Sequence, residues 1–304
     1  MARLTPHRFP APLLIACASL LFAVMGLCVK LASSRYNAGE IVFYRALVGL
    51  VLLGSWILLR GGSLRTAVPA MHFWRSLSGV TALCLWFYAL GNLPLATGMT
   101  LNYTSSVWMA LFLMGGSVLF GTGRIDGRLV AAVFAGFIGV ALILRPTIEQ
   151  DQLWHGVAGL MSGLCAAMAY LQVTALGRVG EPETRVVFYF SLGGVVAGAV
   201  FAQFGGGFSA HTLQGAALLL AIGVLASVAQ WMMTRAYSIG HTMSNAVLQY
   251  LGIVFSFGFG VWLFDDPVTW MALSGMALIV LAGLTATLLG KNARTPTAST
   301  PTET

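Results

Sequence analysis

Long apolar runs alternate with short polar breaks along the whole chain. The runs fall at about 12–33, 40–59, 70–91, 96–119, 128–145, 155–177, 185–204, 213–235, 242–264 and 268–289. The breaks carry turn and charge signals: RYNAGE, RGGSLRT, GNLP, GTGRIDGR, RPTIEQDQ, GRVGEPE, GGGFS, IGH and DDP. An apolar helix needs roughly 20 residues to cross the hydrocarbon core of a bilayer. Barrel strands would instead read as about ten residues of alternating polarity, a pattern these runs lack. Inside lipid the backbone must satisfy its own hydrogen bonds, so helices are the remaining solution. The pattern predicts an all-α integral membrane protein with ten transmembrane helices. The first run exceeds the 7–15-residue apolar core of a removable signal peptide and leads into Lys30, so it reads as a retained first helix.

Composition agrees. The 304 residues are 58% hydrophobic and 8% charged, with a mean hydropathy of +0.86. Soluble domains carry about 25% charged residues. With the N-terminus cytoplasmic, Arg3, Arg8, Arg60, Arg65, Arg124, Arg128, Arg178, Arg185, Arg235, Lys291 and Arg294 lie inside, against Lys30, Arg35 and Arg145 outside. The positive-inside rule therefore places both termini in the cytoplasm, and the expected location is the cell (inner) membrane. The basic pI is a topology signal and implies no nucleic acid partner. Cys17, Cys28, Cys84 and Cys165 all fall within spans without metal-type spacing and read as small packing residues. No metal or cofactor is expected. The tail from 291, KNARTPTASTPTET, is predicted to be disordered.

A repeat is visible inside the chain. FYRALVGLVLLG begins at Phe43 and FYFSLGGVVAGA at Phe188; ALGNLPLATGMTLNYTSSV begins at Ala89 and AYSIGHTMSNAVLQYLGIV at Ala236. The two offsets nearly agree. Ala89 then meets Ala236, Leu101 meets Leu248, Tyr103 meets Tyr250, and Asn102 faces Gln249. Ten spans divide into five plus five, at 12–146 and 155–290, flanked by a cytoplasmic segment 1–11 and the tail. An odd number of spans per half makes the second half enter the membrane the opposite way. Inverted repeats of this kind are frequent in secondary transporters, with the substrate site near the midplane between the halves.

The chain resembles the EamA branch of the drug/metabolite transporter superfamily. GEIVFYRALVG at 39–49, WFYALGNLPLATGMTLNYTSSVWMALF at 86–112 and WMALSGMALIVLAGL at 270–284 carry the resemblance, which covers about residues 12 to 290. It implies a secondary transporter of small metabolites, often directed outward. The family commonly places Glu or Lys before Gly or Ala after the fourth span of each half; here GTGRIDG and FDDP depart from that pattern.

The fourth span of each half carries a polar stripe. Residues three and four apart share a helix face, which aligns Gly98, Asn102 and Ser105 in one half and His241, Asn245, Gln249, Gly252 and Ser256 in the other. Facing lipid would leave each amide unpaired at a cost of about 2–7 kcal/mol, so the stripes face protein or water. They either line a cavity or bind helices together. Tyr103 and Tyr250, one step round, close such a cavity or pack. Tyr88, Trp108, Tyr170, Gln172 and Gln230 complete the cavity candidates. Arg45 lies inside span two and serves either an ion pair or cap, or a substrate carboxylate. Arg75 and His72, near the inner end of span three, read as headgroup contacts. No carboxylate falls in mid-span, which favours facilitated diffusion or exchange, or coupling through Glu40.

The residues exclude several other functions. There is no H-E-x-x-H, no Walker A pattern and no spaced pair of aspartates for a metal–diphosphate site. A channel filter is equally absent. The expected function is transport of a small organic metabolite, an amino acid or related solute, with a nucleoside-like solute such as S-adenosylmethionine as the alternative. The expected partners are that solute and the lipid bilayer, with no obligate protein partner evident in a monomer or dimer.

Overall fold

The structure, a computed structural model, describes residues 9–92, 95–120, 126–144, 153–264 and 268–292. The predicted tail, the first residues and most of the GTGRIDG, RPTIEQDQ and FDDP breaks lie outside them. All regular elements among the described residues are helices: α1 (Ala11–Ala32), α2 (Ala38–Leu59), α3 (Pro69–Asn92), α4 (Leu95–Tyr103), α5 (Ser105–Phe120), α6 (Gly127–Leu144), α7 (Leu153–Arg178), α8 (Glu183–Phe204), α9 (Leu213–Ile239), α10 (Thr242–Leu248), α11 (Leu251–Phe264) and α12 (Trp270–Asn292). Among the described residues, six stretches are long and apolar enough to cross a membrane: Ala11–Val29, Ala38–Leu59, Leu153–Arg178, Glu183–Phe204, Leu213–Ile239 and Thr242–Leu263. Gly127–Ile143 and Trp270–Ala286 are shorter apolar helices.

Local chemistry sets the helix starts. Asn37 caps α2 by accepting from the Glu40 amide at 2.9 Å, while the Glu40 carboxylate accepts from the Asn37 amide at 2.9 Å. This reciprocal capping box satisfies donors that a helix start leaves unpaired. Thr212 caps α9 through the Gly215 amide, and Thr269 accepts from the Ala272 amide at the start of α12. Pro10, Pro69 and Pro182 sit at the starts of α1, α3 and α8, where a missing N–H costs nothing.

The most extensive helix contacts join α2 to α8, α3 to α7, α1 to α9, and α6 to α12. Small residues make these approaches possible, as expected where lipid gives helices no hydrophobic reason to associate. On α8, Ser191, Gly194, Gly198 and Ala202 are buried at helical spacing. A Cβ on Gly198 would stand 2.5 Å from the Phe43 backbone nitrogen on α2. On α7 the buried face includes Gly156, Gly159, Ser162, Gly163, Ala166 and Ala167.

Two expectations need correction. The apolar runs at 96–119 and 242–264 are interrupted helices, broken at Thr104 and at Gln249–Tyr250. At both breaks the ladder tightens: the Thr104 amide donates to the Leu101 carbonyl, and the Tyr250 amide to the Val247 carbonyl, each three residues back. Hydropathy does not register such breaks, because it counts side chains and not backbone bonds. His72 and Arg75 are also misplaced by the sequence reading: they are 2% and 3% exposed, packed among helices and not at a lipid headgroup layer.

His72 belongs to a latch at one end of the bundle. Its Nε2 lies 2.9 Å from Oε1 of Glu181, and Arg185 donates to the same oxygen at 2.9 Å. Burial raises the Glu181 pKa, but hydrogen bonds from His72, Arg185 and Thr66 and the Arg185 charge outweigh it, holding the carboxyl below its ordinary value. A depressed carboxyl pKa contributes stability that is complete above the unfolded-state pKa and is lost as pH falls toward the folded one. Thermal melts in detergent should therefore lose stability through the acid range below about pH 4.5. The loss should be smaller in Glu181→Gln; equal slopes for the two proteins would remove Glu181 as its source.

Candidate functional site

A narrow cavity lies where α2, α8 and α9 meet, with α3 at its side. Val42, Arg45, Ala46, Leu83, Val187, Phe190, Ser191, Gly194, Ala226, Ser227 and Gln230 line it. Arg45 begins seven residues into α2, about 10 Å along the helix axis. Gln230 is 6% exposed and lines the same space. Ser227 donates its hydroxyl to the Gly223 carbonyl, a bond within α9 that leaves its oxygen on the cavity wall.

Arg75 adjoins the cavity from α3. Its guanidinium lies over the Phe190 ring, 4.4 Å from the centroid. Nε and Nη1 are buried with no hydrogen-bond partner among the described residues. Room for the folded-back side chain comes from Gly79, one turn along, whose Cβ would fall 2.2 Å from Nη1. Arg45 and Arg75 are close enough to act electrostatically on each other and on Tyr170. Tyr170 stacks on Tyr237 with centroids 5.3 Å apart and rings within 1° of parallel. Its hydroxyl is within hydrogen-bonding reach of Gln249, whose amide donates to the Met233 sulfur at 3.2 Å.

The described carboxylates are all committed elsewhere. Glu40 is fully buried and accepts from the Asn37 amide and from both the amide and hydroxyl of Ser209, tying the start of α2 to the α8–α9 loop. Glu181 holds His72 and Arg185, Glu183 holds Arg235 and Ser238, and Asp126 accepts from the Arg128 amide. Neither Arg45 nor Arg75 has an ion-pair partner among the described residues.

The other candidates divide. Arg45 and Gln230 line the cavity, while Tyr170, within electrostatic reach of Arg45, has Gln249 beside its hydroxyl. Gln172 accepts from the Ser78 hydroxyl at 2.7 Å, joining α7 to α3. Asn102 donates to Ser162 at 3.3 Å, and Ser105 is buried at the same junction of α4, α5 and α7. Asn245 donates to the Ala236 carbonyl at 2.7 Å and so closes the end of α9. Tyr250 is buried among Val133, Ile253, Ile279 and Ala282, and the Tyr103 ring lies 6.1 Å from it. Trp108 packs against the α1–α9 core, its indole nitrogen without a hydrogen-bond partner among the described residues. Tyr88 stands apart, 50% exposed on α3 with its ring 5.4 Å from His155. Arg75, Phe190, Ser191 and Ser227 were not among the sequence candidates. The signal for Arg75 was present in HFWRSLSG: a cation past the first helical turn, with no acid three or four residues away.

Apolar helices of membrane length, packed around a small cavity that Arg45 and Gln230 enter, are the architecture of a multi-pass membrane protein. The chain belongs to the EamA-like transporter family, whose description matches residues 9–145. It is 34% identical over 274 residues to the pseudopaline exporter CntI of Pseudomonas aeruginosa, covering 89% of this chain and 93% of that one. It is 22% identical to an S-adenosylmethionine uptake transporter of Rickettsia bellii, over 84% of this chain and 85% of the relative. A riboflavin transporter of Brucella anthropi is 24% identical over 86% and 93%. A solved crystal structure superimposes with a TM-score of 0.79 at 19% identity, covering 94% of this chain and 99% of that one, a likeness of fold.

Proposed function

We propose that the protein is a secondary transporter that moves a small organic metabolite, an amino acid or related solute, by alternating access between two inverted five-helix halves. The observation that carries this reading is the cavity between α2, α8 and α9, mostly apolar but with Arg45 and Gln230 on its wall, in a chain of a transporter family. The helix pairing supports the two halves. If α1–α6 and α7–α12 are repeats, then α1 matches α7, α2 matches α8, α3 matches α9 and α6 matches α12. Under that match the α2–α8 and α6–α12 contacts map onto themselves, and α3–α7 maps onto α1–α9. The interrupted helices α4–α5 and α10–α11 correspond as well, and the family match at 9–145 covers the first half. Broken helices at the repeat interface are a recurring feature of transporter sites. Both termini then lie in the cytoplasm, and the membrane is the inner one.

Export or exchange is the favoured direction, in keeping with the name of the 34% identical relative. Glu40 is an awkward coupling group, because three hydrogen bonds hold its carboxylate in a cap.

Purified protein in liposomes, loaded with labelled amino acids and related solutes, tests the reading with and without a pH gradient. Gln249→Ala should cut transport at least tenfold, since it removes the amide beside Tyr170. Asn102→Ala should have a smaller effect, since its partner is the Ser162 hydroxyl between helices. Unchanged transport in Gln249→Ala would make that amide helix glue.

A further inference from the structure

Arg45 lines the cavity, Arg75 packs beside it on Phe190, and neither has an ion-pair partner among the described residues. Arg45 and Arg75 lie within electrostatic reach of one another. Every described carboxylate is bound to other groups. Arg75 is 97% buried by exposure, with two guanidinium nitrogens unpartnered. Desolvating one cation costs several kcal/mol, and a like charge nearby adds to that cost. The Phe190 face offsets part of it by cation–π attraction, yet a ring carries no charge. Five guanidinium donors in a rigid fork match a carboxylate bidentately.

We propose that Arg45 and Arg75 are the anion-binding residues of the transport cavity, and that the transported solute is a net-anionic organic acid bearing at least two carboxylates, one for each guanidinium. The proposal rests on the transporter reading and narrows its substrate class. A solute with a single carboxylate and an ammonium group would bring a cation toward two that are already there, with no described carboxylate offered in return. A cationic sulfonium solute fits worse. Gln230 on the cavity wall supplies a neutral polar contact to the rest of the molecule, and Phe190, Leu83 and Val187 supply an apolar wall. Gly79 belongs to the site, since a side chain there would displace the Arg75 guanidinium.

The test separates binding from transport. Thermal shifts of the purified protein would be measured with succinate, aspartate, alanine, glycerol phosphate and S-adenosylmethionine, followed by liposome exchange of the same compounds. The expected result is stabilisation and exchange with succinate or aspartate, and neither with alanine or S-adenosylmethionine. Arg45→Gln and Arg75→Gln should each weaken dicarboxylate binding at least tenfold, with Arg45→Lys and Arg75→Lys in between. Without ligand, Arg75→Gln should melt at or above the wild-type temperature, because an unpaired buried charge has been removed. A purely structural arginine would give the opposite shift.

Preference for alanine, or for glycerol phosphate over both dicarboxylates, would overturn the proposal. So would an Arg75→Gln variant that melts lower and binds as before. Exchange of a neutral solute, unaffected in both Gln variants, would overturn it while leaving the transporter reading intact. Dicarboxylate binding lost in the Gln variants, with no exchange of any compound, would uphold the anion site and count against transport.

Discussion

Glu40→Ala should destabilise the protein by roughly 3 kcal/mol, seen as a drop of several degrees in the melting temperature in detergent. The carboxylate accepts from the Asn37 amide at 2.9 Å and from the amide and hydroxyl of Ser209. Truncation strands the Asn37 and Ser209 amides beside a residue that is itself fully buried, leaving the Ser209 hydroxyl only the Arg35 carbonyl, and each stranded buried donor costs about 1–3 kcal/mol unless water reaches it. It also breaks the capping box that starts α2 and frees the α8–α9 loop, which Asn37 holds through the Gly207 carbonyl at 2.9 Å. Glu40→Gln keeps the shape but replaces one acceptor with a donor, so it should fall between. Wild-type melting in Glu40→Ala would show that the box contributes little, and would reopen Glu40 as a group free to carry protons.

Gly275→Val should be more damaging still. A Cβ on Gly275 would lie 2.6 Å from the Gly139 carbonyl oxygen, and a Cβ on Gly139 would lie 2.7 Å from the Gly275 carbonyl oxygen. The contact is reciprocal and backbone to backbone, so no side chain can swing aside. Overpacking of this kind costs about 1–3 kcal/mol and more where backbone must move. α6 and α12 are each other's main neighbours, so separating them exposes Val140 and Ile279, both fully buried. Gly275→Val should give little monodisperse protein on size exclusion. Gly258→Val on α11, where an added Cβ meets nothing within 4 Å, is the control and should behave as wild type. A well-folded Gly275→Val would mean that the two helices can part without loss of the fold.

The candidate site was partly legible in the sequence. Arg45, Tyr170, Gln230 and Gln249 could be picked out because polar groups inside apolar runs are costly in lipid and so must face protein or water. That reasoning sets a polar residue inside the bundle but gives no partner. Asn245 and Gln249 lie four apart on the same predicted stripe, yet one closes α9 through the Ala236 carbonyl while the other meets Met233 and Tyr170. Tyr250, aligned with Tyr103 by the repeat, is packed among the α6 and α12 side chains.

The sequence by itself determined the class. Apolar runs of membrane length have one stable backbone in lipid, and the Asn37–Glu40 box and the prolines punctuate helices by local chemistry alone. Only the tertiary structure decided where the charges sit. Arg75 and Phe190 are far apart in the chain, and their contact depends on how α3 and α8 approach, which small residues on both helices permit without specifying. The breaks at Thr104 and Gln249–Tyr250 were hidden for the same reason: a change of backbone hydrogen bonding leaves the side-chain pattern untouched. Burial of a cation is a property of the neighbours that surround it, and those neighbours come from other helices.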